Sequence, residues 1–342
     1  MTTLATPAPT STGRSSGAPS LVRWLLRLHR PALLVWVALV IVVGALLLWV
    51  GGPLTDASAE GWKQYNACKS VFTCPHDTES IGRYKDWYNY ATFAVLAVPF
   101  LAAAWSGASL IGREMENGTA HLVWAQSVTP ARWLATKLAV PAVLVTAGSG
   151  LLVGLHHWAW SNGQGRISTA QPWYADGTYA ANGTIVVALA LAGLAAGALI
   201  GVYRRDSLGS LIGSVSATGF LWGAVTLAMP NLWPAVTRIT SLKHDHALGT
   251  GPTLSEGLVT STGARITDPY CGPITDSDCR AVYTKLDAVS YYKVYHPESH
   301  YWPLQLTATA IILAVTAALT VAAFQLLKHR TGSAPARKET SA

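Results

Sequence analysis

The sequence predicts an all-α polytopic membrane protein with six transmembrane helices. Half of the 342 residues are hydrophobic (51%), and only 12% are charged. The chain contains six apolar runs that reach about 20 residues, the length that crosses the hydrocarbon core of a bilayer. This composition excludes a soluble globular enzyme, and we expect membrane lipid rather than nucleic acid around the chain.

The first thirty residues divide into a tail and a helix. Residues 1–19 are rich in Thr, Ser, Pro, Ala and Gly without an apolar period, which predicts a disordered tail. Residues 20–30 place apolar side chains at helical spacing with arginines opposite, which predicts an amphipathic helix in the headgroup layer. The apolar set is Leu21, Trp24, Leu25 and Leu28, and the basic set is Arg23, Arg27 and Arg30.

Residues 31–229 are predicted to hold the first five spans and residues 303–327 the sixth. The individual spans are expected near residues 32–50, 90–111, 138–158, 183–203, 208–229 and 303–327. The first run also resembles a signal peptide, because basic residues precede it and Ala57-Ser58-Ala59 resembles a cleavage site. The run is long for a signal peptide, so we expect a retained span.

Positive charge near the spans predicts the orientation of the chain. Short segments that flank spans on the cytoplasmic side are enriched in Lys and Arg. Such residues here are Arg23, Arg27, Arg30, Arg132, Lys137, Arg204, Arg205, Lys328 and Arg330. Both termini, including the tail 328–342, are therefore predicted to be cytoplasmic in a cell membrane. The link 112–137 is then cytoplasmic too, and the segment 230–302 is extracytoplasmic.

The four cysteines all fall in segments predicted to lie outside. They are Cys68, Cys74, Cys271 and Cys279. An even set on the oxidising side predicts disulfides, most simply two local pairs, although three connectivities are possible. Metal sites are the alternative, with the candidate sets Cys68, Cys74 and His76, and His244, His246, His296 and His300. Neither set has a recognised zinc spacing, so no metal is expected.

The sequence lacks residues that several transport and nucleotide-binding mechanisms require. No phosphate-binding loop of the form G-x-x-x-x-G-K-[ST] occurs, so we expect no nucleotide cofactor in this chain. The spans contain essentially no Asp, Glu, Lys or Arg, which disfavours an ion-coupled carrier. His156 and His157 stand near the outer end of the third span. We expect them to make interfacial hydrogen bonds, with a ligand or proton-relay role as the alternative.

Glycines recur at every fourth position in two spans. Gly193, Gly197 and Gly201 line one face of the fourth span, and Gly209 and Gly213 follow in the fifth. Such faces allow close approach of helices in lipid. We predict packing within this helical hairpin, and the alternative is a dimer interface or a face that slides during transport.

The link 112–137 joins the second and third spans and combines several helix signals. Glu114 and Glu116 follow the apolar run, and Gly118 with Thr119 favours a helix break. Thr129 before Pro130 is typical of a helix start. The pattern predicts a short helix–turn–helix on the membrane surface, and an ordinary solvated loop is the alternative.

The sequence motif EMENGT, followed by QSVTPARWLATK, resembles the cytoplasmic signature of type-2 ABC transporter permeases. In that family a carboxylate precedes Gly-Thr, a Ser/Thr-Pro-type start follows, and a basic residue opens the third span. The six spans, an N-terminal elbow helix at 20–30 and a large outer segment are similar as well. The resemblance implies an exporter's permease subunit without catalytic activity, paired with an ATP-binding cassette subunit and a second permease, identical or not.

The resemblance also implies which residues transmit force. The coupling positions would be Glu114, Glu116, Gly118, Thr119, Gln126, Ser127, Thr129, Arg132, Trp133 and Lys137. Pro130 stands where the family often has a basic residue, so the resemblance implies one fewer contact with the ATP-binding subunit. ATP and Mg are expected on the partner subunit, and the cargo is not implied. The alternative function is a non-transporting scaffold or sensor with a ligand-binding extracytoplasmic segment. A membrane-embedded enzyme has only His156 and His157 as candidate groups.

Overall fold

The computed structural model describes residues 18–68, 75–126, 128–175, 177–242, 249–269 and 276–332. Within these ranges the chain forms mainly helices. They are α1 Ala18–Leu28, α2 Arg30–Trp49, α3 Thr55–Ala67, α4 Thr78–Trp105, α5 Arg113–Glu116, α6 Thr119–Ala125, α7 Pro130–Gly163, α8 Thr178–Ala181, α9 Ile185–Arg204, α10 Ser207–Ala228, α11 Asp276–Lys285 and α12 Tyr301–Gly332. Two π-helical segments, Val50–Leu54 and Ser106–Gly112, continue α2 into α3 and α4 into α5.

The prediction of six spans is confirmed. In the described part of the chain, six continuous helical stretches are long and apolar enough to cross a membrane. They are Arg30–Ala67, Thr78–Glu116, Pro130–Gly163, Ile185–Arg204, Ser207–Asn231 and Glu298–Gly332. Several extend well beyond the predicted ends, because hydropathy marks only the apolar part of a helix. The tail predicted from residue 328 accordingly begins inside α12.

The helix α9 lies at the centre of the bundle and packs against α4, α7, α10 and α12. Its glycines bring neighbouring backbones into contact. A Cβ atom on Gly193 would lie 2.7 Å from the Pro99 carbonyl oxygen, and one on Gly197 would lie 2.6 Å from the backbone nitrogen of Gly107. At Gly201 the nearest atom would be Cγ2 of Ile111, at 2.9 Å. The glycine face of α9 therefore packs mainly against α4 and the π segment 106–112, and less against its hairpin partner.

Serine hydroxyls reinforce this close packing. Ser106 Oγ donates to the Leu194 carbonyl at 2.8 Å, and Ser214 Oγ donates to the Ala103 carbonyl at 2.9 Å. The first bond joins the π segment to α9, and the second joins α10 to α4. Small residues supply close van der Waals contact between helices, and buried hydroxyls supply hydrogen bonds there.

The all-α prediction is wrong for the segment after the fifth span. Residues 236–295 contain a four-stranded antiparallel sheet in the order β1-β4-β2-β3. The strands are β1 Val236–Ser241, β2 Thr253–Thr260, β3 Arg265–Ile266 and β4 Ala288–Tyr295. These segments are rich in Thr, Val, Ile and Tyr, which favour strands. The central strand β4 is far from its partners in sequence, so local patterns did not reveal the pairing.

The amphipathic stretch near the N-terminus is helical, as α1. Leu25 is buried, whereas Arg23 and Arg27 are exposed. The side chains of Leu21 and Trp24 lie outside the described residues, and contact with headgroups stays a prediction. The helix ends before His29, and Pro31 occupies the first turn of α2, where proline is well tolerated.

The predicted disulfides fall only partly within the described chain. Cys68 follows the end of α3 and Cys279 lies in α11, but Cys74 and Cys271 lie outside the described residues. The pairing therefore stays a prediction, as do the orientation of the chain and the disorder of both tails.

Substitution of Gly197 tests the packing of α9. Gly197→Ala is expected to lower the free energy of unfolding by about 1–3 kcal/mol, because the added methyl group collides with backbone atoms of the π segment. The measurement is thermal or denaturant unfolding in detergent. The matched control is Gly223→Ala in α10, where the described residues place no atom within 4 Å of the added Cβ. An equal loss in both variants would contradict tight packing at Gly197.

Candidate functional site

The link between the second and third spans forms two short helices at one end of the bundle. We call residues 112–132 together with the turn 204–207 the link end. The helices α5 and α6 are separated at Gly118, whose φ of 69° lies in the left-handed region that favours glycine. Thr119 Oγ1 donates to the Glu114 carbonyl at 3.3 Å. The helix break therefore lies at Gly118, directly before Thr119, as predicted.

The helix start predicted at Thr129 and Pro130 is also present, and this helix, α7, continues without a break into the third span. Thr129 has extended backbone angles, and its Oγ1 accepts a hydrogen bond from the Arg132 backbone N–H at 3.3 Å. Pro130 is the first residue of α7, a position that needs no intrahelical donor. Thr129 and Arg132 are exposed on the surface of the link end.

A buried ion pair joins the two ends of the link. Lys137 Nζ donates to Glu114 Oε1 at 2.5 Å and to the Leu110 carbonyl at 2.8 Å. The side chains of Lys137 and Glu114 are only 1% and 13% exposed. The Lys137 ammonium also lies 5.5 Å from the ring of the buried Trp133. Because a buried charge requires a partner, this pair fixes α5 against α7.

Aromatic rings connect α6 to the same cluster. The Trp124 ring on α6 lies edge-on to Trp133 on α7, with centroids 5.6 Å apart. Ala120 and Met115 are buried nearby in the apolar cluster beneath the link. One side of α6 is therefore held by packing, and displacement of α6 would press directly on the start of α7.

The turn 204–207 is tied to the link and to the last span. Glu116 Oε2 accepts a hydrogen bond from the Ser207 backbone N–H at 3.0 Å, at the positive end of the α10 dipole. Arg330 Nη1 on α12 donates to the carbonyls of Val202 and Tyr203 at 2.6 and 3.0 Å. These carbonyls belong to the last turn of α9, where intrahelical donors are missing. These bonds of Arg330 were not predicted from the sequence.

The predicted coupling residues divide into an exposed set and a buried set. Glu116, Thr119, Gln126, Thr129 and Arg132 are exposed. Trp133 and Lys137 are buried, so in this conformation they offer no surface to a second subunit. Gly118 and Glu114 are partly buried, and Ser127 lies outside the described residues. Force transmission by these residues stays a prediction, but Trp133 and Lys137 would act inside the chain.

An exposed leucine on α6 was not predicted from the sequence. Leu122 is 66% exposed, although Ala120, Val123 and Trp124 on the same helix pack inward. His121 beside it is exposed as well. Helical periodicity could have indicated the exposure of Leu122, because residue 122 lies on a different helix face from residues 120, 123 and 124.

The protein family of the chain follows from a match to a known family model. A family model described as ABC-2 membrane transporter related matches residues 22–233, which is more than half of the chain and includes the whole link. The chain belongs to this family. No curated protein and no solved structure matches the chain. The resemblance to type-2 ABC transporter permeases is thus confirmed, and the protein is a multi-pass membrane permease.

The permease makes close contacts at the glycines of the fifth span too. A Cβ atom on Gly209 would lie 2.7 Å from the Arg204 guanidinium, and one on Gly213 would lie 3.0 Å from Cγ2 of Ile200. Gly213 therefore forms the contact expected within the hairpin of α9 and α10. These contacts lie inside one chain, and the dimer interface stays a prediction.

His156 of the permease is buried in a polar network inside the bundle, not exposed at the membrane–water interface. Its Nδ1 lies 2.6 Å from Asn182 Oδ1, and its Nε2 lies 2.8 Å from Thr92 Oγ1. The ring also lies 5.3 Å from that of Tyr88. The network links α4, α7 and the segment before α9. His157, by contrast, is exposed, with its ring against Trp160.

The candidate metal ligands do not form a complete set in the described chain. No group of three or more His, Cys, Asp or Glu side chains able to hold a metal occurs among the described residues. The Nδ1 atoms of His296 and His300 lie 3.1 Å apart, and His296 Nε2 lies 3.0 Å from the Pro230 carbonyl. His244 and His246 lie outside the described residues.

Replacement of Lys137 tests the buried ion pair. Lys137→Met is expected to lower the free energy of unfolding by about 3–5 kcal/mol, because Glu114 is left buried without its counter-charge. The double variant with Glu114→Met should recover most of that loss in detergent unfolding. The control is Arg83→Met, which removes an exposed pair with Glu79 and should cost under about 1 kcal/mol. Additive losses in the double variant would contradict a coupled pair.

Replacement of His156 tests the polar network. His156→Leu should lower the free energy of unfolding by about 1–3 kcal/mol, because Asn182 Oδ1 loses its only described partner. Unfolding followed by intrinsic fluorescence measures the change. His157→Leu serves as the exposed neighbour and should change stability little. Similar effects from both substitutions would argue against a structural network at His156.

Proposed function

We propose that this permease is the transmembrane subunit of an ATP-driven exporter. Separate ATP-binding cassette subunits would bind ATP and Mg and dock on the link end. The observation that carries this proposal is the division of α6 into two sides. One side is packed against the spans, while the other exposes Leu122 at the surface. An exposed apolar side chain on a firmly held helix suits insertion into a groove of a partner protein.

The charges at the link end support a cytoplasmic location for this surface. Arg132, Arg204 and Arg205 are exposed there, and Arg330 joins them from α12. Basic residues next to spans favour the cytoplasmic side. The link end would then face the compartment that contains ATP, and the sheet of residues 236–295 would face outward with the cysteines in disulfides.

The contacts of the link suggest how motion at α6 would reach the membrane. The Trp124 ring contacts the Trp133 ring near the start of α7. One turn further along α7, Lys137 is paired with Glu114. Glu116 holds the first residue of the fifth span. Closure of the ATP-binding subunits would therefore move the second, third and fifth spans together. A second permease copy, identical or different, would complete the transport path for a cargo that this surface does not specify.

Leu122 and Arg132 provide the test of this proposal. The tagged permease is purified in mild detergent from its native membrane, and co-purifying ATP-binding subunits and ATPase activity are measured. Leu122→Glu and Arg132→Ala are each expected to reduce the co-purifying subunit about tenfold or more, since central interface residues dominate binding energy. Glu116→Ala should retain more of the subunit, because Glu116 bonds within the chain.

The matched control is Leu286→Glu, which places the same charge on a leucine that is 38% exposed near the sheet. This variant should keep both the partner and the ATPase activity. Unchanged assembly after Leu122→Glu and Arg132→Ala would overturn the docking surface. Purification of the permease alone in several detergents would instead favour the scaffold or sensor function, with the sheet segment as its ligand-binding part.

A further inference from the structure

Two cavities adjoin each other where α2 begins. The first has a volume of about 500 Å³ and lies between the start of α2 and the link, lined in part by His29, Arg113, Glu114 and Asn117. The second has a volume of about 380 Å³ and runs along α2, α4 and α7. Pro31 and Ala32 line both cavities. Each volume lies within the usual range of ligand pockets.

The first cavity is the more polar of the two, and its wall contains buried groups that lack partners among the described residues. Glu114 uses Oε1 for Lys137, but its Oε2 is buried and has no hydrogen-bond partner among the described residues. His29 Nε2 is buried without a described partner as well. Buried polar atoms normally have a hydrogen-bond partner. The wall of this cavity therefore contains one carboxylate oxygen and one imidazole nitrogen that are buried without a described partner, together with the exposed Arg113.

The charge state of this cavity follows from its surroundings. Burial and the nearby charge of Lys137 lower the pKa of His29 to about 4, so its ring is neutral at pH 7. The ring accepts or donates a hydrogen bond but carries no charge. The cavity thus combines a carboxylate oxygen able to accept from a cation with a guanidinium able to bind an anion.

The second cavity is an apolar groove that opens toward lipid. Its walls include Trp36, Leu39, Trp105 and Leu144. The Trp36 indole N–H donates to the Leu144 carbonyl at 3.3 Å and so braces α2 against α7. Other wall residues, Val35 and Leu101, are 69% and 48% exposed, as expected for side chains that face acyl chains. A polar chamber that continues into an apolar groove has the polarity profile of a membrane lipid.

We propose that the two cavities together bind one phospholipid with a primary-amine headgroup. The acyl chain lies in the groove along α2, and the headgroup lies in the polar chamber. The ammonium donates to Glu114 Oε2, and the phosphate is bound by Arg113, with His29 as a further polar contact. A choline headgroup has no N–H to donate, and a glycerol headgroup carries no cation. The site therefore discriminates by headgroup.

Lipid competition measures this discrimination. The full-length permease in detergent is mixed with vesicles of equal phosphatidylethanolamine, phosphatidylcholine and phosphatidylglycerol with identical oleoyl chains. It is then repurified, and bound lipid is quantified by mass spectrometry. The ethanolamine lipid should be enriched about tenfold over the choline lipid, the ratio expected from one charge-assisted hydrogen bond. A bound ratio equal to that of the mixture, or dominance of the glycerol lipid, would overturn the proposal.

Two pairs of variants locate the site. Ala32→Phe fills the junction of the cavities and should abolish the enrichment, whereas Ala38→Phe, on an exposed position of the same helix that lines neither cavity, should preserve it. Arg113→Gln should reduce retention about tenfold, whereas Arg205→Gln, also exposed at the link end, should not. Lipid retention that is unchanged in both Ala32→Phe and Arg113→Gln would place the lipid elsewhere.

The Arg113→Gln variant keeps the test decisive if Ala32→Phe does not fold. Because no ATP-binding subunit is present in this experiment, its outcome is independent of the docking surface on α6.

Discussion

A lysine buried at the end of the third span imposes the main constraint on the link. Its charge requires a counter-charge in a place that water does not reach, and Glu114 on the other arm of the link supplies it. The pair therefore sets how α5 and α7 approach each other. The packing of Trp133 and the position of α6 both follow from that approach. These contacts hold the polar connection between the two spans in one arrangement.

The lipid surroundings impose a second constraint on the bundle. Helices in hydrocarbon gain little from mutual hydrophobic burial, so close contact and hydrogen bonds must hold them together. The permease meets this requirement with glycines on α9 and with hydroxyls on its neighbours. The turn 204–207 is then fastened from two directions, by Glu116 and by Arg330. The centre of the bundle and the link end thus form one connected structure.

Apolar run length was enough to predict the six spans, and local helix signals were enough to predict the break at Gly118 and the start at Thr129. Features that depend on distant residues were not accessible in this way. The burial of Lys137 is one such feature, because its partner Glu114 lies 23 residues earlier in the chain. The sheet was missed because β4 pairs with strands that precede it by a long stretch of sequence.

The exposed leucine on α6 illustrates a different limit of sequence reasoning. A leucine in a helix is usually assigned to the packed face, and only the positions of its neighbours show that residue 122 points away. Conversely, Arg330 belongs to a tail by composition but bonds to the end of α9. In both cases the residue type suggested one environment, and the three-dimensional neighbours determined another.

The length of α7 has a mechanical consequence. This single helix of 34 residues begins at the link and ends at Gly163, so it extends roughly 51 Å at 1.5 Å per residue. If α7 pivots at the link as a lever, a tilt of about 5° moves its far end by roughly 4 Å over that length. A displacement too small to disturb the packing around Trp133 would thus be magnified at the opposite end. The only proline inside α7, Pro141, lies about a third of the way from the link to the far end, so roughly the outer two thirds of the helix contain no proline.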